Sequence, residues 1–151
     1  MKFHIIRAGT TDIDNMLPLF SAYRQFYCRV SDTTSERRYL ESRLQNDQAV
    51  IFIACEDGST LPVHGFVLLY PSFDSVELGA IWVLHDLFVS TDHRKCGVGR
   101  LLMEAAHDFC RASGAVRVDL TTAISNVTAQ PLYESMGYER DKTFYSYSLT
   151  L

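Results

Sequence analysis

The sequence predicts a mixed α/β chain of the α+β type, with a central β-sheet covered by helices. Three observations carry that reading. The run "AVIFIAC" (Ala49–Cys55) is apolar throughout, as in a strand buried on both faces. Between Asp92 and Cys110, the residues Val98, Leu101, Leu102, Ala105, Ala106 and Phe109 recur at helical spacing. The segments run strand, two helices, several strands, helix, strand, helix, strand, which is not the strict alternation of a doubly wound fold.

Each element has its own signal. "KFHIIRAG" reads as a first strand ending at Gly9. "TDID" (Thr11–Asp14) has the spacing of a capping box, and Ile13, Met16, Leu17 and Phe20 then share a helical face. Pro18 lies inside that pattern and predicts a bend or a break. "TTSE" (Thr33–Glu36) repeats the capping spacing before a shorter helix through Leu40 and Leu44. After Ala49–Cys55, "EDGS" is a turn, and "PVHGFVLLY" and "LGAIWVLHDLFV" are two further strands. Gly114 would stop the long helix. "AVRVDLTT" is a strand, "TAQPLYESM" a short helix and "TFYSYSLTL" a final strand.

A chain of 151 residues is expected to form one domain, 1–151, with a core of its own. No apolar run reaches the roughly 18 residues of a membrane span, and "MKFHIIRAG" has no signal-peptide character. The four cysteines are scattered without a CxxC pair, which fits reduced thiols and a cytoplasmic location. A net charge of −4 with no basic block argues against nucleic acid as a partner. His4, His64, His93 and His107 show no ligand spacing, so no metal is expected.

The start of the long helix carries the chemistry. Gly97 and Gly99 stand where a strand turns into a helix, with Arg94, Lys95 and Arg100 around them. The first N–H groups of a helix have no intrahelical partner, and the helix dipole adds partial positive charge. Glycine lets an anion approach that backbone, so phosphate or pyrophosphate is the ligand to expect. A Walker loop is excluded, since Gly99 is followed by Arg100 and Leu101. A dinucleotide fingerprint is excluded too, because Leu102 occupies the third glycine position.

Arg94-Lys95-Cys96-Gly97-Val98-Gly99 fits the pattern Arg/Gln-x-x-Gly-x-Gly/Ala, and "NVTAQPLYESMGY" (Asn126–Tyr138) follows at a matching separation. With these two linked motifs the chain resembles the GNAT family of acetyl-CoA-dependent N-acetyltransferases. The close resemblance covers about Leu84 to Tyr138. It implies a GNAT fold: a mixed sheet with a splayed strand pair, flanked by about four helices. It also implies acetyl-CoA as co-substrate. The backbone of Lys95, Cys96, Gly97, Val98, Gly99 and Arg100, after Arg94, would hold the pyrophosphate. Leu87, Phe88 and Val89 would pair with the pantetheine arm like an added strand. Asn126 would contact that arm, and Tyr133 would protonate the leaving thiolate. The Val89 amide is the candidate for polarising the thioester carbonyl.

Acetyl transfer to an amine needs a base, because an ammonium has no lone pair. The resemblance points to His85, four residues before Val89. Its ordinary titration range suits that work. Asp86 should face the other way if the strand is regular, although a bulge would upset that parity. Glu77 is a more distant candidate, and a water chain is a further route. For the acceptor, Tyr23, Phe26, Tyr27, Trp82, Phe144 and Tyr145, with Asp32 and Glu36, would suit a small basic amine or a lysine. A sensor that binds acyl-CoA without turnover, and an enzyme using a longer acyl group, are the rival readings. A homodimer through the last strand is the family expectation.

Overall fold

The computed structural model describes residues 2–151. The chain divides into two compact units, one ending at Thr121 and the other spanning Thr122–Leu151.

The first unit holds a five-stranded sheet in the order β1-β2-β3-β4-β5. The strands are β1 (Phe3–Arg7), β2 (Val50–Glu56), β3 (Val63–Asp74), β4 (Gly79–Val89) and β5 (Arg117–Asp119). The first four pair antiparallel in sequence order, and β5 joins β4 in parallel. The helices are α1 (Ile13–Phe26), α2 (Thr33–Gln45) and α3 (Val98–Ala112).

The apolar run in β2 is explained by burial on both faces. Ile51, Ile53 and Cys55 join a core with Ile13, Met16, Leu17 and Phe20 of α1 and Leu40 of α2. The alternate residue Phe52 meets Phe109 of α3, with ring centroids 5.9 Å apart. Helices therefore cover opposite faces of one sheet. The buried stripe of α3 is Val98, Leu102, Met103, Ala106 and Cys110. It is rotated slightly from the periodic set in the sequence, for Leu101, Ala105 and Phe109 are only partly covered.

Gly65 sets how closely α3 approaches. A Cβ there would lie 3.0 Å from Leu102 Cδ1 and 3.1 Å from Val98 Cγ1. The first turns of α3 thus pack directly on β3, beside the end of β4.

Three local expectations are corrected. The first capping interaction lies two residues earlier than Thr11: Asp12 Oδ2 accepts from Gly9 N at 2.8 Å, and a 3-10 turn (Thr10–Asp12) leads into α1. Asp14 instead pairs with Arg37 Nε at 2.7 Å. The second cap is Asp32 rather than Thr33, accepting from Ser35 N at 3.1 Å. α1 runs through Pro18 as one element, because its buried face against the sheet outweighs one lost backbone bond.

The second unit contains α4 (Gln130–Ser135). Residues 143–151, predicted as a strand, form none. Phe144, Tyr145, Tyr147, Leu149 and Leu151 are all exposed. Strand propensity alone makes no ladder, since each strand needs the hydrogen bonds of another.

Candidate active site

The end of β4 is where the sheet opens. Its parallel pairing with β5 stops at Val83↔Asp119, while pairing with β3 continues to Val89. Ser90 N donates to His64 O at 2.8 Å, across the β3 side. Hydrogen-bonding direction alternates along an antiparallel strand. Leu87 and Val89 therefore turn their N–H and C=O groups away from β3, toward the side where β5 has ended. Arg94 Nε agrees with this parity, reaching Val89 O at 3.0 Å. The Arg94 guanidinium also lies 5.3 Å from the Phe88 ring centroid. Leu87, Val89 and Arg94 were singled out in the sequence; Phe88, singled out with them, turns its backbone groups toward β3 instead.

The glycine turn follows after a second 3-10 turn, Thr91–His93. Gly97 is the N-cap of α3 with φ +82°, and as glycine it supplies no side-chain cap. The first intrahelical bond runs from Leu101 N to Gly97 O, at 3.1 Å. The amides of Val98, Gly99 and Arg100 precede it and have no i−4 carbonyl within the helix. Lys95 also takes a left-handed φ of +61°. A Cβ at Gly97 would meet no atom within 4 Å, so the space directly beside Gly97 is open. Cys96 is exposed, and its thiol donates to Arg94 O at 3.5 Å.

His85 marks a bulge. The β3–β4 register steps from Leu68↔Asp86 to Leu69↔Leu84 and leaves His85 without a partner. The extra residue cancels the alternation, so His85 and Asp86 line the same cavity. The bulge upsets the parity that would place Asp86 on the opposite face of a regular strand. The two are hydrogen-bonded, His85 Nδ1 to Asp86 Oδ1 at 2.8 Å. Asp86 is only 5% exposed. Its Oδ1 also accepts from the Tyr23 hydroxyl. A carboxylate only accepts, so it fixes the His85 proton on Nδ1 and leaves Nε2 with a lone pair.

The hydrogen bond that His85 donates to Asp86 raises the His85 pKa above 6.5, against the opposing pull of burial. Burial, aided by hydrogen bonds, raises Tyr23 and Tyr70 well above the usual phenol range, so both remain neutral. Because the His85 value is raised on folding, the pair stabilises the fold fully below pH 6.5. That contribution is lost as pH rises through the raised value. Asp86→Asn is expected to bring the His85 titration, followed by NMR, down toward 6.5 or below. It should also remove the low-pH stability increment in urea unfolding. An unmoved midpoint would show that the carboxylate is not the cause.

The cavity has a volume of about 540 Å³. Phe20, Tyr23 and Arg24 of α1, Ser35, Glu36 and Tyr39 of α2, and Tyr70 of β3 complete its wall with Asp32. Glu36 is buried beneath it, accepting from Ser21 Oγ at 2.9 Å and Asp32 N at 2.8 Å. The Tyr39 and Tyr70 hydroxyls are hydrogen-bonded to each other. Tyr39 and Tyr70 were not marked in the sequence. Only the register of β3 on β4 brings Tyr70 near His85, with ring centroids 5.3 Å apart. Trp82 is elsewhere, packed on Phe109 at 5.0 Å and bonded to Ser113 Oγ at 3.0 Å. Phe26 and Tyr27 are exposed beyond the cavity wall. Glu77 lies exposed in the β3–β4 turn, where its N–H reaches Asp74 Oδ1 at 3.1 Å.

In the second unit, Tyr133 lies on α4 and is half-buried, edge-on to Tyr138 at 6.2 Å. Asn126 Nδ2 donates to Thr122 Oγ1 at 3.1 Å, which orders the loop before α4. Phe144 and Tyr145 belong to the exposed 144–151 segment.

Comparison with known proteins matches this architecture. The sequence profile of the Acetyltransferase (GNAT) family covers residues 16–138. An uncharacterized N-acetyltransferase of Bacillus subtilis is 40% identical over 148 residues, spanning 98% of this chain and 97% of its own. A crystal structure of a "probable acetyltransferase" superposes with a TM-score of 0.92 at 36% identity, covering 98% of this chain and 97% of the other. An aminoglycoside acetyltransferase from a soil metagenome, solved with sisomicin, shares the fold with a TM-score of 0.77 at 19% identity, over 98% and 97% of the two chains.

Proposed function

Because the chain belongs to the Acetyltransferase (GNAT) family, we propose that it moves an acetyl group from acetyl-CoA to a primary amine held in the aromatic cavity. The observation that carries this reading is the continuity of one segment. His85 and Asp86 face the cavity, Leu87–Val89 run along the open edge, and Arg94–Arg100 form the anion turn directly after. Amine, thioester and pyrophosphate would each meet a different part of that segment.

The chemistry is direct attack in a ternary complex. His85 Nε2 accepts a proton from the ammonium, and the freed nitrogen attacks the thioester carbon. The Val89 N–H stabilises the charge that develops on the carbonyl oxygen. A C–N bond forms and the C–S bond breaks. The bonded nitrogen loses its second proton to solvent as the amide forms, Tyr133 donates its hydroxyl proton to the departing thiolate and is reprotonated from solvent, and Asn126 holds the pantetheine arm. Asp86 positions His85 and stabilises its imidazolium. Asp32 and Asp86 with three tyrosine rings favour a small basic amine, or a lysine side chain, over an anionic acceptor, while Glu36 is already paired with Arg24 of the same wall at 3.8 Å.

We place the protein in the cytoplasm as a single catalytic domain, consistent with its four free cysteines. A homodimer through residues 144–151 fits the run of exposed apolar side chains there. The alternative is a GNAT-fold sensor that binds acyl-CoA without turnover.

CoA-thiol release against polyamines, aminoglycosides, aromatic amines, amino acids and lysine peptides separates these. Turnover with a cationic class supports the enzyme. Tight acetyl-CoA binding with no turnover on any amine supports the sensor. Tyr133→Phe is expected to lower turnover while leaving acetyl-CoA affinity nearly intact. Wild-type turnover in that variant would remove Tyr133 from the chemistry.

A further inference from the structure

Glu56, His64 and His93 meet away from the cavity, each from a different segment. Glu56 ends β2, His64 is the second residue of β3, and His93 ends the 3-10 turn before Arg94. Each offers one donor atom, and these atoms lie within 4.8 Å of one another. The two imidazole rings are 3.9 Å apart between centroids.

His64 is the telling residue. It is only 6% exposed, and its Nε2 is buried without a hydrogen-bond partner. A buried polar nitrogen left unpaired is uncommon and calls for an explanation. Glu56 Oε1 is 3.3 Å from it, close but not aligned as an acceptor. That separation is the spacing of two ligands on a tetrahedral ion with bonds of about 2.0–2.1 Å. Outer contacts hold the rings. Ser90 Oγ lies 2.9 Å from His93 Nδ1, and Phe3 stands edge-on to both imidazoles at 5.8 Å. Such second partners are what a metal-binding histidine needs to keep its orientation.

We propose that Glu56, His64 and His93 form a site for a divalent transition ion of the Zn²⁺ class. Two imidazoles and one carboxylate suit that ion, and a tetrahedral arrangement leaves one position for water. The ion would tie the β2–β3 hairpin to the segment that enters the Arg94–Gly99 turn.

The test uses the tag-free full chain, stripped with chelator and dialysed. Titration with Co²⁺ as a spectroscopic stand-in should give the visible d–d bands of a tetrahedral site. Calorimetry with Zn²⁺ should give one ion per chain. Glu56→Gln and His93→Asn should each abolish both signals, and Ser90→Ala should weaken binding by roughly 10–100-fold. His107→Asn should leave both unchanged. Glu56 and His93 are partly exposed, so these changes leave the core in place. Metal-free thermal unfolding verifies that each variant is folded. Absent bands with no saturable heat would overturn the proposal. So would Zn²⁺ binding that persists in both Glu56→Gln and His93→Asn.

Discussion

Replacing His85 with alanine is expected to lower kcat by about 10²–10⁴-fold, the range of a positioned general base. The loss should depend on pH in a diagnostic way. With the base present, the enzyme can use the protonated amine that dominates near neutrality. Without it, only the small neutral fraction of the amine reacts. The deficit is therefore largest at low pH and narrows toward the pKa of the amine itself. His85 is half-exposed on a bulge rather than in the core, so the variant should fold and bind acetyl-CoA normally. The measurement is the pH–rate profile of wild type and variant with one accepted amine. The wild-type acid limb should fall above 6.5, following the Asp86 hydrogen bond. Superimposable profiles would eliminate His85 as the base and leave the proton to a water chain.

Gly97→Trp is expected to weaken CoA binding by at least about 100-fold while the chain remains folded. Two costs act together. A side chain at φ +82° pays the left-handed penalty of roughly 1–2 kcal/mol. The indole would also project into the open space beside Gly97, where the pyrophosphate is proposed to lie. Gly97→Ala carries the backbone penalty but only a methyl group, so its loss of affinity should be smaller. Calorimetry with CoA compares the two variants. Unchanged affinity in Gly97→Trp would refute the assignment of the turn.

The sequence and the structure divide the work unevenly. The glycine turn that opens α3 was legible because its requirements are local: glycine, a helix start and nearby positive charge are all specified by consecutive residues. The Ala49–Cys55 strand was legible for a similar reason, since burial on both faces leaves no polar alternation. Secondary-structure ends were less so. Asp32 displaced Thr33 as a cap because the buried Glu36 carboxylate also reaches Asp32 N, a preference set by packing rather than spacing.

By itself the sequence determined the class of fold and the glycine turn that opens the long helix, because each depends on residues adjacent in the chain, while the resemblance to the GNAT family singled out His85. Only the tertiary structure decided what surrounds His85. One inserted residue in β4 turned Asp86 into the same cavity, and strand register brought Tyr70 beside it. The Glu56, His64 and His93 cluster is likewise invisible to spacing, since its members come from three segments. Residues 144–151 show the opposite case, with strand composition but no ladder. Side-chain patterns are written locally, whereas strand pairing, bulges and clusters depend on which distant backbone lies alongside.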